Sequence, residues 1–277
     1  MARLPRIPDL LTTANLACGV ASILLASQGQ LTIACGLVFV AAFFDVLDGL
    51  AARALGGGSP MGAQLDSLAD MVSFGVAPMF IILNIPPDWF VSFSDYRAYT
   101  PIDWYGLPIE HYRLPDILVV GSFLSLIPIC SAWRLAKFNV DTRQSSGFLG
   151  LPTPANALFW CSIPLICSGT AVLSGPGADS IRMFIFHLLG RWLLFPIIFW
   201  IPLVLGLLML SEIPLPSLKF KHFNWKGNEV IFLLMGIGLV LVVLYGILAI
   251  PLILILYLLS PLWGRLFGGN AAASQEP

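Results

Sequence analysis

FFDVLDGLAARALGGGSPMGAQLDSLAD, running from Phe43 to Asp70, sets four aspartates inside what otherwise reads as two membrane-spanning helices joined by a glycine turn. Asp45 and Asp48 are three residues apart and share one helix face; Asp66 and Asp70 are four apart and do the same on the next helix. The turn from Gly56 to Pro60 folds the second helix back on the first, so the two pairs meet. Gly49, Ala52, Gly62, Ala63 and Ala69 lie on or near these faces, and small residues let membrane helices approach closely. The expected product is a four-carboxylate cluster at the edge of a membrane.

Such a cluster is costly. One acid in a span costs roughly 2.5–3.5 kcal/mol on insertion scales, and four close together could not all stay ionised without cations. All-oxygen ligation suits Mg²⁺ or Mn²⁺, and two such ions would balance four carboxylates. Two-metal centres recur where phosphates are attacked and displaced. Taken singly, an aspartate near a span end caps a helix or pairs with Arg53; four at this spacing point to a shared cation site. An acid-lined ion path is the transporter reading. Against it, Arg53 shares the face of Asp45 and Asp48, where a fixed cation would obstruct cations but help hold a phosphate.

The surrounding chain is a membrane protein by composition. Of 277 residues, 58% are hydrophobic and 10% charged, with a mean hydropathy of +0.89, against roughly 25% charged in soluble domains. A net charge of −1 gives no field that would attract nucleic acid. The three histidines have no ligand-like spacing, and the five cysteines lie in or beside apolar runs with no CxxC, so neither set suggests a metal site or disulfides. No lipoprotein or cleaved signal pattern fits the first apolar run, which Asp9 interrupts, so the N-terminal segment is expected to be retained.

With about 20 apolar residues per span, the hydropathy pattern predicts an all-α polytopic bundle of eight helices. They run roughly over 9–27, 31–55, 62–84, 115–137, 153–174, 191–211, 228–246 and 249–266. The last pair is separated only by Gly246 and Pro251 in a nearly unbroken apolar run, which leaves seven spans as the alternative. A six-helix domain over 1–211, a C-terminal helix pair over 212–267 and a disordered tail over 268–277 follow. With the N-terminus inside, Arg3, Arg6, Arg53, Arg134, Lys137, Arg143, Lys219, Lys221, Lys226 and Arg265 fall on the cytoplasmic side and Arg97, Arg113, Arg182 and Arg191 outside. That bias sets the orientation and puts the aspartates at the cytoplasmic face. The aromatic loop from Ile85 to Leu114 is expected to lie in the headgroup layer.

Written as D-x2-D-G-x2-A-R-x8-G-x3-D-x3-D, the residues Asp45, Asp48, Gly49, Ala52, Arg53, Gly62, Asp66 and Asp70 match every fixed position of the signature of the CDP-alcohol phosphotransferases. DSLADMVSFGVAP (Asp66–Pro78), RLAKFNV (Arg134–Val140), GFLGLPTPANA (Gly147–Ala157) and PDLLTTANLACG (Pro8–Gly19) resemble blocks of the membrane-integral phosphatidylserine synthase branch. The resemblance covers roughly residues 5–175. Two positions depart from it: Asp9 stands where related sequences carry Asn, and Lys137 where Arg is frequent.

The resemblance implies transfer of a phosphatidyl group from CDP-diacylglycerol to the hydroxyl of L-serine, with release of CMP, in a homodimer of the bacterial inner membrane. Carried over by position, Asp45, Asp48 and Asp66 hold one divalent cation and Asp45, Asp66 and Asp70 a second, Asp70 also being the general base. Thr12, Asn15, Gly49, Ala52, Arg53, Ser59 and Gly62 are implied around the nucleotide. For the acceptor carboxylate the candidates are Arg134, with Lys137, Asn139 and Ser73 as partners; the alternative for the two cations is anchoring at anionic headgroups. Glycerol phosphate or inositol phosphate would call for a larger basic cluster than Arg134, Lys137 and Arg143 provide.

Overall fold

The computed structural model describes residues 6–57, 59–85, 114–140, 148–167, 200–215 and 229–267. The chain forms α1 (Ile7–Ser27), α2 (Leu31–Ala54), α3 (Pro60–Asp70), a π-helical segment (Met71–Val76), α4 (Ala77–Leu83), α5 (Leu114–Leu124) and α6 (Leu126–Val140). After these come β1 (Phe148–Leu149), α7 (Thr153–Cys167), α8 (Ile201–Leu210), β2 (Pro214–Leu215), α9 (Glu229–Tyr245), a 3₁₀ turn (Gly246–Leu248) and α10 (Ala249–Phe267). The aromatic loop, the rest of the fifth and sixth expected spans, the loops holding Arg143 and Lys219 to Lys226, and the tail lie outside the described residues.

Polarity is inverted relative to a water-soluble domain. Leu24, Phe43, Val46 and Leu50 are exposed, while Thr12, Asn15, Asp48, Asp70, Ser73 and Arg134 are buried. Among the described residues five stretches are long and apolar enough to cross a membrane: 7–27, 31–54, 60–83, 118–140 and 232–260. The last is not one rod, because Gly246 takes a left-handed φ of 57° and Gly238 of α9 faces Ile253 of α10 across the turn. The two arms form a hairpin of 17 and 19 residues, each roughly the thickness of a hydrocarbon core at 1.5 Å per residue.

Two helices depart from the regular spans expected of them, both for the same reason. Pro78 offers no N–H to Phe74 and its ring crowds that carbonyl, and the turn before it widens into the π segment directly after Asp70. Pro128 acts likewise on Leu124, where α5 ends and α6 begins. The two irregular turns meet: a Cβ on Gly75 would stand 3.4 Å from the Pro128 Cα.

One short strand pair, absent from the all-helical expectation, ties distant segments together. Phe148 and Leu149 pair antiparallel with Leu215 and Pro214, and Gly150 N and Leu151 N donate to Ile213 O and Leu208 O at 3.0 and 3.1 Å. Gly150 sits at φ 72° with the carbonyl oxygens of Met209, Ser211 and Leu208 where a Cβ would go, so only glycine fits. This lock fixes the start of α7, which carries Thr153 and Asn156 into the core; the Asn156 Oδ1 accepts from the buried Trp160 Nε1 at 3.1 Å.

Candidate active site

The glycine turn is built from a helix stop and a helix start. Gly56, at φ 88°, ends α2: Gly57 N donates to Ala52 O at 2.8 Å and Gly56 N to Arg53 O at 3.4 Å, a Schellman closure. Ser59 then caps α3, its Oγ accepting from Gly62 N at 2.9 Å, with Pro60 opening the first turn. α3 is thereby turned back toward α2, with α1 packed on both, and their aspartates face.

Asp45, Asp48 and Asp66 converge, each presenting a carboxylate oxygen within 4.8 Å of the other two. Asp70 lies beyond them, buried, within electrostatic range of all three. Among the described residues no lysine or arginine forms an ion pair with any of the four. The Asp66 Oδ1 is buried with no hydrogen-bond partner. Hard, anionic, closely spaced oxygens with an unsatisfied buried lone pair are the donor set a divalent cation requires, so the residues fit the expected metal.

α1 braces this cluster. The Thr12 Oγ1 donates to Asp48 Oδ2 at 2.6 Å, and Asn15 Nδ2 donates to Asp70 Oδ1 at 3.1 Å. Ser73 Oγ, in the π segment, donates to Asn15 O at 3.0 Å, seating that asparagine. Each bond runs to a charged or backbone acceptor inside the bundle, where it is worth more than in water.

Beside the cluster opens a cleft of about 200 Å³. Thr12, Gly49, Ala52, Ser59 and Gly62 line it together with Asp48 and Asp66. Asn15 does not; it lies deeper, on Asp70. Arg53 is exposed, its guanidinium folded back over Gly49. Arg6 and Asp9, not assigned to the site from the sequence, also line the cleft. The Asp9 Oδ2 accepts from Arg6 N at 3.0 Å, and its Oδ1 lies 2.9 Å from where a Gly62 Cβ would stand. The missed signal was Asp9 itself, an acid in the first turn of an apolar helix.

The acceptor candidates part company. Lys137 pairs with Glu212 at 3.0 Å on the exterior. Asn139 Nδ2 donates to Ser67 Oγ at 2.9 Å, also exposed. Ser73 is fully buried and engaged on α1. Arg134 alone of the two cations turns inward, buried, with Nη1 donating to Thr153 Oγ1 at 2.9 Å.

The CDP-alcohol phosphatidyltransferase family profile matches residues 6–101, the segment that contains α1, the aspartates and the cleft. The chain is 30% identical over 237 residues to the CDP-diacylglycerol–serine O-phosphatidyltransferase of Helicobacter pylori (strain ATCC 700392 / 26695), covering 85% of this chain and 81% of that protein. It belongs to the CDP-alcohol phosphatidyltransferase family. It is 36% identical over 154 residues to the archaetidylserine synthase of Methanothermobacter thermautotrophicus, 55% of this chain and 54% of that one. With the Methanocaldococcus jannaschii CDP-diacylglycerol–serine O-phosphatidyltransferase it shares 29% identity over 217 residues, 78% and 77% of the two chains. As a family member it is an integral membrane enzyme that transfers a substituted phosphate group, and its aspartate cluster lies within the segment that the family profile matches.

Proposed function

We propose that this enzyme moves the phosphatidyl group of CDP-diacylglycerol onto the side-chain hydroxyl of L-serine. The observation that carries the reading is the convergence of Asp45, Asp48 and Asp66 beside a cleft lined by small residues. The names of the relatives supply serine. In the reaction the serine oxygen bonds to the phosphatidyl phosphorus, the bond from that phosphorus to the bridging oxygen breaks, and CMP leaves with the electron pair.

The chain's own groups divide the work. Asp70, held by Asn15, takes the proton from the serine hydroxyl. Gly49 and Ala52 leave room for the nucleotide against the α2 backbone, Gly62 and Ser59 line the facing wall, and the Arg53 guanidinium lies over Gly49 for its phosphates or ribose. Asp45, Asp48 and Asp66 would hold one divalent cation, Mg²⁺ or Mn²⁺, and Asp45, Asp66 and Asp70 a second. Bound there, the ions would offset charge on the diphosphate and on departing CMP.

The eight-span bundle belongs to the same reading, with its six-helix domain over 1–211 and C-terminal pair over 212–267. So do a homodimeric state, a cytoplasmic N-terminus and a site facing the cytoplasm from a bacterial inner membrane. Purified protein incubated with CDP-diacylglycerol, Mg²⁺ or Mn²⁺ and serine, glycerol phosphate or inositol phosphate in turn tests the reaction through CMP release and lipid product. Serine is expected to give phosphatidylserine. Product from glycerol phosphate alone would overturn the acceptor, and absence of CMP with every acceptor would overturn the reaction.

A further inference from the structure

Arg134 is a charged group buried where no charge should rest unpaired. It is 8% exposed, its Nη1 is satisfied by the neutral Thr153 hydroxyl, and its Nε is buried without a partner. Desolvating a guanidinium costs several kcal/mol unless an anion compensates, and among the described residues no carboxylate forms an ion pair with it. Asp70 lies within electrostatic range but outside ion-pair distance. An unpartnered N–H on a buried fork-shaped cation can take a transient anion, and the planar geometry of the group matches a carboxylate.

The other polar group at this point comes from the end of the chain. Tyr257 interrupts the apolar run ILILYLLS (Ile253–Ser260) of α10, is 6% exposed, and lies within electrostatic range of Arg134. α10 packs on α7, the helix that brings Thr153 to Arg134. The last helix pair thus does more than thicken the bundle. Its buried phenol lies within electrostatic range of the guanidinium that Thr153 holds, on a helix packed against the one that carries Thr153.

We propose that Tyr257, with Arg134 and Thr153, forms the subsite for the acceptor's carboxylate, so that the C-terminal helix contributes a specificity-determining residue. The proposal rests on the serine-transferase reading. A single cation with neutral O–H groups around it suits a monoanionic carboxylate better than a phosphate dianion, and Lys137, the next cation on α6, is turned outward to Glu212.

The test is Tyr257→Phe in the full-length protein in lipid nanodiscs, with serine and CDP-diacylglycerol varied separately. Loss of one hydrogen bond to a charged group should raise the KM for serine roughly ten- to a hundredfold, with the KM for CDP-diacylglycerol and the melting temperature near wild type. An unchanged serine KM would overturn the proposal, as would a fall in kcat with both KM values unmoved, which marks a merely structural role. Should the phenylalanine variant not fold, Tyr257→His, which keeps a polar tip, is read by the same split. A wild-type enzyme that makes no product from serine sinks the serine reading itself; a serine-active wild type with an indifferent Tyr257 sinks this inference alone.

Discussion

Gly19 packs closely on the π segment, and Gly19→Ala tests whether that approach holds the Asp70 carboxylate. A Cβ there would stand 2.8 Å from the Ser73 Cα and 3.0 Å from its Cβ. The serine hydroxyl could rotate away, but the Cα could not. Restoring an ordinary contact of 3.4 Å demands that the two backbones separate by ~0.6 Å in an interior packed like a crystal. The same interface carries Ser73 Oγ to Asn15 O at 3.0 Å and Asn15 Nδ2 to Asp70 Oδ1 at 3.1 Å. A retreat of that size along those bonds takes both past hydrogen-bonding range. Overpacking costs about 1–3 kcal/mol and a lost bond to a carboxylate about 1.5–3 kcal/mol, against about 1 kcal/mol gained from alanine's helix propensity. The net is a loss of roughly 2–5 kcal/mol. Thermal unfolding in detergent should show a melting point lower by several degrees, and CMP release from the same sample should fall at least about tenfold. Gly36→Ala on α2, where an added Cβ meets nothing within 4 Å, is the matched control and should behave as wild type. If Gly19→Ala matches Gly36→Ala in both assays, the bracing role assigned to α1 is wrong.

Chelation with EDTA should reduce CMP release to background and added Mg²⁺ or Mn²⁺ should restore it, with Asp66→Asn shifting the metal titration to higher concentration; activity indifferent to chelator would remove metals from the account. Asp70→Asn retains an acceptor for Asn15 and should fold normally while turnover drops by roughly 10²–10⁴-fold, the range expected for loss of a general base. Gly150→Ala, strained at φ 72° and driven into three carbonyl oxygens, should cost more than about 3 kcal/mol and show as poor yield of folded protein, although it touches no aspartate. By contrast Lys137→Ala should change the melting point little, because its pair with Glu212 is exposed and worth under about 1 kcal/mol; a large loss would mean that Lys137 has a role beyond that pair.

Much of the site was legible because it is local. Asp45 and Asp48, or Asp66 and Asp70, share a face by helical spacing alone, and the glycine turn between them leaves no freedom about which faces meet. The five small or polar residues expected at the nucleotide and found in the cleft, Thr12, Gly49, Ala52, Ser59 and Gly62, lie within 51 residues of one another. Arg134 was a candidate on chemistry, but nothing near it in sequence separates it from Lys137 and Asn139. Only its burial and theirs on the exterior do so.

The sequence by itself determined the membrane class, the rough positions of the described helices, the turn and the aspartate cluster, because hydropathy and helical periodicity act over a few residues at a time. Tertiary structure decided which helix faces touch. An apolar helix in lipid is hydrophobic on every side, so its pattern does not say which side packs on protein and which on acyl chains. Hence Asp9 against Gly62, Asn15 on Asp70, Arg134 on Thr153, and Tyr257 within electrostatic range of Arg134 across more than a hundred residues emerge only when the bundle closes.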